Sequence, residues 1–122
     1  MKRTLTDQDK LKLKSDFMLV REKGRKQTGA FAILLYLPCA AEYADQAKCG
    51  IICSRKFDRR AVKRNRARRL LRESFRLMKH RIAPCRMVFI PRRGILNAKR
   101  QDVAAEMEVL FSKAKLLRVF PT

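Results

Sequence analysis

The sequence predicts an α+β fold, a single-domain sandwich in which helices pack on one sheet, and three observations support this prediction. The chain has 122 residues, close to the usual size of one domain, so one core is expected over residues 1–122. Apolar residues make up 47% of the chain, which is enough to bury a modest core. Segments with helical spacing of apolar residues alternate with short apolar runs, in the order helix, two or three strands, basic helix, strand and helix.

The first part of the chain predicts a helix and then a strand. Residues 1–11 are polar and basic and could be poorly ordered, and a short helix is expected over residues 7–14. The apolar residues 17–20 fit either the end of a helix or the start of a strand, because so short a run shows no decisive periodicity. Residues 31–37 are a strand candidate that Pro38 closes.

The middle of the chain predicts a second strand and a long basic helix. Residues 38–47 suit a loop between neighbouring strands, and residues 48–54 are the next strand candidate. Gly50 in that strand marks a bulge or a point of close packing. After a basic turn, the helix is expected at residues 62–81, and Pro84 bars its continuation.

The last part predicts a short strand and a second amphipathic helix. The strand candidate is residues 87–90, bounded by Pro91 and Gly94. Asn97 is the expected N-cap of the helix, and residues 115–122 are expected to form a tail. The core face of this helix is predicted from the spacing of Val103, Met107, Leu110, Phe111 and Ala114.

The most strongly charged segment is residues 55–72, in which ten of eighteen residues are Lys or Arg and Asp58 is the only acid. At about 100° per residue, one helical face is small or apolar and consists of Ala67, Leu70, Leu71, Ser74, Phe75 and Met78. The opposite face consists of Asn65, Arg68, Arg69, Arg72, Arg76 and Lys79. Such a helix can dock on a core by one face and present a row of guanidinium groups on the other.

The charge balance indicates a polyanionic partner. The net charge is +20 and the isoelectric point is near 11, so the compact chain repels itself unless it meets a polyanion. Nucleic acid is the commonest such partner, and an anionic membrane surface is the second. Arginine binds phosphate bidentately and stacks on unpaired bases. Phe17, Phe31 and Tyr36 offer further stacking faces, and Phe17 is better placed for exposure than Phe31.

The same residues predict that the polypeptide has no catalytic residues and no metal site. The eleven acids are scattered, so they form no carboxylate cluster for Mg²⁺. His80, the only histidine, is expected to act as a cation at a helix C-terminus. The four cysteines form no C-x-x-C pair, and Cys49 and Cys53, on a predicted strand, are expected to be buried thiols in a reducing cell. Without a secretory signal or a long apolar run, the chain is predicted to be cytoplasmic, with no membrane partner.

The basic segment 63–76 closely resembles the "RNR" helix of the bacterial ribonuclease P protein subunit. Phe17-x-x-Val20-x-x-x-Gly24 resembles that family's N-terminal aromatic segment, and residues 31–36 are similar to its next strand. Residues 50–56 resemble the strand that leads into the basic helix of the family. The resemblance covers about residues 14–114.

This resemblance implies an α-β-β-β-α-β-α sandwich with a left-handed βαβ crossover around the basic helix. It also implies two partners, the catalytic RNA of ribonuclease P and precursor tRNA. In this family the RNA performs the Mg²⁺-dependent hydrolysis that removes the 5′ leader, and no organic cofactor is involved. The protein holds the leader in a cleft between the sheet and an N-terminal helix.

The matching positions imply specific contacts. The RNA-binding residues implied are Ser54, Arg55, Lys56, Arg64, Asn65, Arg66, Arg68, Arg69 and Arg72. The leader-binding residues implied are Phe17, Arg21 and Tyr36. Arg21 stands where the family often has a second aromatic, so a phosphate contact is expected there in place of stacking. The turn at residues 57–60 is one residue longer than usual and lacks the customary glycine. A register uncertain by one residue leaves open whether Leu35 or Tyr36 faces the RNA.

Two other functions fit parts of the sequence. A ribosomal or other structural RNA-binding protein would share the size, charge and basic helix, but the ordered series of motifs favours ribonuclease P. A DNA-binding helix-turn-helix protein would need a second short helix before the basic one, which the sequence does not predict.

Overall fold

A computed structural model describes residues 14–38, 48–83 and 85–117, with side chains described from Phe17 onward and excluding that of Pro38. In chain order, the elements are α1 (Lys14–Lys23), β1 (Arg25–Thr28), β2 (Ala32–Pro38), β3 (Lys48–Ile51), α2 (Ala61–Met78), β4 (Cys85–Pro91) and α3 (Arg100–Lys113). Short 3-10 helices at Lys79–Arg81 and Arg93–Asn97 follow α2 and β4. This order confirms the predicted α+β class and the α-β-β-β-α-β-α succession. The run at residues 17–20 belongs to a helix.

The strands form one sheet in the order β1-β2-β4-β3. β2 pairs antiparallel with both β1 and β4, whereas β3 pairs parallel with β4. Parallel neighbours need a crossover connection, and α2 lies in the segment that joins β3 to β4. The basic helix is therefore the crossover of a βαβ unit.

The two faces of the sheet are covered by different helices. On one face, Leu34 and Tyr36 of β2 pack in the main core with the buried residues of α2 and α3. On the other face, Leu35 and Leu37 pack against Val20 of α1. Because successive side chains in a strand point to opposite faces, this register places Leu35, and not Tyr36, on the α1 side.

The basic helix is anchored by the face that its spacing predicted. Its buried residues are Ala67, Leu71, Ser74, Phe75 and Met78. Ser74 fits in this layer because its hydroxyl donates to the carbonyl oxygen of Leu70 at 2.8 Å. The helix spans Ala61–Met78 and a 3-10 helix continues it to Arg81, in agreement with the predicted range 62–81. Helix α3 closes the same core, with the rings of Phe89 and Phe111 in an edge-to-face contact at 6.0 Å.

The start of α3 differs from the prediction. Asn97 was the expected N-cap, but it ends the 3-10 helix Arg93–Asn97, and Lys99 occupies the N-cap. The carboxylate of Asp102 accepts a hydrogen bond from the Lys99 backbone N–H at 3.2 Å. Ile95 is fully buried in this 3-10 helix, and the backbone N–H of Ala98 donates to its carbonyl oxygen at 3.1 Å. Asn97 is therefore part of the 3-10 helix, and α3 starts later than the asparagine indicated.

Two further segments differ from what periodicity predicted. Strand β1 (Arg25–Thr28) is polar and lacks apolar alternation, and it forms because its backbone pairs with β2. Leu116 lies in the predicted tail but is 3% exposed. The backbone N–H of Ala83 donates to the carbonyl oxygen of Leu116 at 2.7 Å, and Ile82 bridges Leu117. Residues 115–117 therefore belong to the packed domain.

The strand predicted at residues 48–54 is shorter in the structure. β3 ends at Ile51, although the backbone N–H of Ile52 still donates to the Phe89 carbonyl oxygen at 3.0 Å. The predictions for residues 1–11 and for most of the loop at 38–47 lie outside the described residues.

Candidate nucleic-acid interface

The outward face of α2 presents a group of polar and mostly cationic side chains. Asn65, Arg66, Arg69 and Arg72, all predicted RNA-binding residues, are exposed. The single acid of α2 is Glu73, and it forms an ion pair with Arg76 at 3.0 Å. Glu73 therefore pairs with Arg76, which is not one of the predicted RNA-binding residues. This surface combines a rigid helical scaffold with the chemistry that binds phosphate.

Two of the predicted RNA-binding arginines also form hydrogen bonds that attach the loop before α2 to the helix. The NH1 group of Arg64 donates to the backbone carbonyl oxygens of Asp58 at 3.0 Å and Arg59 at 2.8 Å. The NH2 group of Arg68 donates to the carbonyl oxygen of Cys53 at 2.8 Å. A guanidinium has five N–H donors, so each side chain can fix the loop before α2 and still have donors for a phosphate.

The loop between β3 and α2 carries the remaining predicted RNA-binding residues. Ser54, Arg55 and Lys56 are all exposed. The Ser54 hydroxyl oxygen accepts the backbone N–H of Lys56 at 3.3 Å, and the Ser54 carbonyl oxygen accepts that of Phe57 at 3.0 Å. These bonds close a turn whose cations point to solvent beside the start of α2.

An ion-paired acid lies at the centre of this loop and was not singled out as a functional residue from the sequence. The side chain of Asp58 is 4% exposed, and its Oδ1 accepts both the backbone N–H and the Nε–H of Arg60, at 2.8 and 3.1 Å. Its Oδ2 accepts from the NH2 group of Arg60 at 3.0 Å. The side-chain and backbone hydrogen bonds from Arg60 lower the pKa of the Asp58 carboxyl to about 2.

Arg93 connects this loop to the segment that follows β4. Its NH1 group donates to the carbonyl oxygen of Phe57 at 2.8 Å, and its NH2 group lies 3.8 Å from Oδ2 of Asp58. The sequence signal for Asp58 was visible as the single acid in a basic run. No sequence pattern links Arg93 to it, because the contact joins segments far apart along the chain.

A second candidate surface lies between α1 and the sheet. Phe17 and Leu35 are half-buried there, around the buried pair Val20 and Val88. Arg21, in the last turn of α1, is exposed. This arrangement provides apolar faces beside a cation, which suits a single-stranded nucleic acid.

The strand register adds cations to this second surface. Lys26 is the direct partner of Leu35, and Lys48 is the direct partner of Arg86. Arg86 is in turn opposite Leu37, which packs on the α1 side. Direct cross-strand partners share a face, so these basic residues lie on the same side as Leu35. Sequence reasoning missed them because the pairing of distant strands, and not local spacing, brings them together.

The prediction that Tyr36 binds the leader is wrong. Its side chain is 4% exposed and belongs to the main core, on the face of the sheet away from α1. The strand alternation places Leu35 in the position predicted for Tyr36. The predicted roles of Phe17 and Arg21 remain predictions that this geometry accommodates.

The thiols of Cys49 and Cys53 have raised pKa values. Burial raises the pKa of the Cys49 thiol, with a smaller contribution from Cys85. Burial also raises the pKa of Cys53, partly offset by the nearby Arg68 and Arg64. A raised thiol pKa keeps a cysteine in its unreactive protonated form.

Within the described residues, no three His, Cys, Asp or Glu side chains gather as a metal site. No helix in this part of the chain is long and apolar enough to cross a membrane.

Comparisons with known proteins agree with this geometry. A family model described as Ribonuclease P matches residues 5–115. The ribonuclease P protein component of Synechococcus sp. (strain JA-2-3B'a(2-13)) is 34% identical over 103 residues, covering 83% of this chain and 77% of the relative. That of Chromohalobacter salexigens is 41% identical over 70 residues, covering 57% of this chain and 52% of the relative.

Solved structures share the fold. The RNase P protein of Staphylococcus aureus superposes with a TM-score of 0.78 at 23% identity, covering 90% of this chain and 98% of that one. The RNase P protein of Thermotoga maritima superposes with a TM-score of 0.70 at 27% identity, covering 83% of this chain and 94% of that one. Because the family model spans nearly the whole chain, the chain belongs to the ribonuclease P protein family, and this membership implies a role in tRNA processing.

Proposed function

We propose that this protein is the RNA-binding subunit of a ribonuclease P ribonucleoprotein that removes the 5′ leader of precursor tRNA. The observation that carries the proposal is the exposed arginine face of α2, a helix that is anchored through its buried face and contains a single acid, Glu73. Helix α2 and the loop before it bind the catalytic RNA, because their guanidinium groups are held at fixed spacing for phosphates.

The surface between α1 and the sheet binds the leader. Unpaired bases of a single strand stack on Phe17 and contact the apolar floor around Leu35. Arg21, Lys26 and Lys48 neutralise the leader phosphates along its margin. In this way the protein contacts the 5′ leader, the part of the substrate that mature tRNA lacks.

The chemical step belongs to the RNA in this proposal. Magnesium supports the hydrolysis and is held by oxygens of the RNA and the substrate. We assign no catalytic residue to the polypeptide and no organic cofactor to the complex. The complex acts where tRNA is processed, in the cytoplasm.

The deciding experiment is reconstitution. The RNA that co-purifies with the protein is sequenced, and the complex is assayed for 5′ maturation of precursor tRNA with and without the protein. We expect the protein to bind ribonuclease P RNA and to increase cleavage at low Mg²⁺ concentration. Co-purification of ribosomal RNA with no maturation would instead support a structural RNA-binding protein.

A further inference from the structure

A concave basic surface beside the start of α2 reaches beyond the helix. It is lined by cations from three segments, namely Arg55, Lys56 and Arg59 of the loop, Arg64 of α2 and Arg93 after β4, and Asp58 lies in its floor. The side chains of Arg59 and Arg93 are not among the residues that the family resemblance assigns to RNA. Arg93 is 70% exposed on its side chain, so it is accessible to a ligand.

Asp58 holds these segments together. Its carboxylate accepts three hydrogen bonds from Arg60, and its Oδ2 is 3.8 Å from the NH2 group of Arg93. The loop carbonyl oxygens bind cations as well, since Phe57 accepts from Arg93 and Asp58 accepts from Arg64. Without the carboxylate, the Arg60 and Arg93 side chains would repel each other and lose their common partner.

An unpaired acid in an RNA-binding surface would repel the polyanion. Here the negative charge of Asp58 is buried and compensated by Arg60 and Arg93, so the surface that a ligand meets is strongly positive. Positive side chains from separate segments surround the concavity, and two of them, Arg64 and Arg93, are fixed by hydrogen bonds to loop carbonyl oxygens. This arrangement matches a tetrahedral anion with several oxygen acceptors.

We propose that this concavity is a binding site for a backbone phosphate of the catalytic RNA, with Arg59 and Arg93 as contacting residues and Asp58 as a positioning residue. The identity of the RNA rests on the function proposed above. The site widens the RNA interface from the outward face of α2 to the segment between β4 and α3.

The direction in which one substitution changes RNA affinity tests the positioning role of Asp58. Asp58→Asn removes a negative charge, so electrostatics alone would strengthen RNA binding. The proposal expects the opposite: binding to the catalytic RNA weakens about threefold to fivefold at about 0.15 M salt, and the salt slope falls by about 0.7–0.9, the loss of one phosphate contact. The control is Glu108→Gln, which also replaces a carboxylate by an amide. Glu108 lies on α3 and forms an ion pair with Arg81, so this variant should not weaken binding to the catalytic RNA.

The contacting role is tested with the full-length chain in the same assay. Arg93→Ala and Arg59→Ala should each lower the salt slope, whereas Lys113→Ala, which removes an exposed cation from the end of α3, should lower it less. Circular dichroism and thermal unfolding verify that each variant is folded. If Asp58→Asn does not fold, the two arginine variants decide the proposal.

The outcomes separate this site from the general function. Failure of the wild-type protein to bind the catalytic RNA overturns the proposed function and this site with it. Wild-type binding together with an Asp58→Asn variant that binds equally or more tightly overturns the positioning role alone. Arg93→Ala and Arg59→Ala slopes equal to that of Lys113→Ala overturn the phosphate site.

Discussion

The outward face of α2 and the surface between α1 and the sheet differ in how they are built. The first comes from one helix, so its exposed residues follow directly from the spacing of Ala67, Leu71 and Phe75 on the buried side. The second combines residues of α1 and of several strands, and strand pairing determines which of them share a face. A charged face on a single helix can therefore be predicted from local residue spacing, whereas a cleft that combines apolar and basic residues from several elements cannot.

The largest effect is expected from removing the anchor of the helical interface. Phe75 is 1% exposed in the main core, so Phe75→Ala should lower the free energy of unfolding by about 3–5 kcal/mol. Urea denaturation measures this loss, and RNA binding should fall with the folded fraction. Val62→Ala, at a side chain on α2 that is 76% exposed, is the matched control and should change stability by less than about 0.5 kcal/mol.

The next effect would sharpen the assignment of the second surface. Phe17→Ala should weaken binding of precursor tRNA to the reconstituted complex by about 1–3 kcal/mol, because one stacking face is lost. Binding of mature tRNA, which has no leader, should change less. Met18→Ala, at the exposed neighbour of Phe17 on α1, serves as the control. Equal losses for both tRNAs would remove Phe17 from the leader site.

A pair of arginine variants would divide the helical interface into binding and structural parts. Arg72→Ala should lower the salt slope of RNA binding by about 0.7–0.9 without a loss of stability. Arg68→Ala should lower the slope and also destabilise the fold by about 1 kcal/mol, because its bond to the Cys53 carbonyl oxygen is lost. Salt titrations and urea denaturation of both variants measure the two quantities. Identical stabilities would contradict the structural role of Arg68.

The smallest effect concerns pH, because the Arg60 side of the Asp58 ion pair is 64% exposed and solvent screens it. The folded protein lowers the Asp58 pKa to about 2, below the value of about 3.9 in an unfolded chain. The stabilisation by Asp58 is therefore fully present above about pH 4 and is lost as the pH falls towards 2. The stability difference between wild type and Asp58→Asn should shrink over this range in unfolding measurements. A difference that stays constant from pH 7 to pH 2 would contradict it.

Several elements were correctly predicted because local spacing determines them. The 3.6-residue period identified α2 and the core face of α3, and residues 31–37 were recognised as a strand. The N-cap prediction at Asn97 was wrong because this residue lies in a 3-10 helix, with Ile95 buried, that precedes α3. Strand β1 could not be found from its polar residues, since its stability comes from pairing with β2.

The amino-acid sequence by itself determined that this protein has a helix with one apolar and one cationic face, and it indicated a polyanionic partner. These properties depend on residues within a few turns of each other. The tertiary structure alone decided that Leu35 rather than Tyr36 faces α1, and that Arg93 reaches Asp58. Both outcomes depend on which distant segments pair, and that pairing is determined by packing of the whole core and not by local spacing.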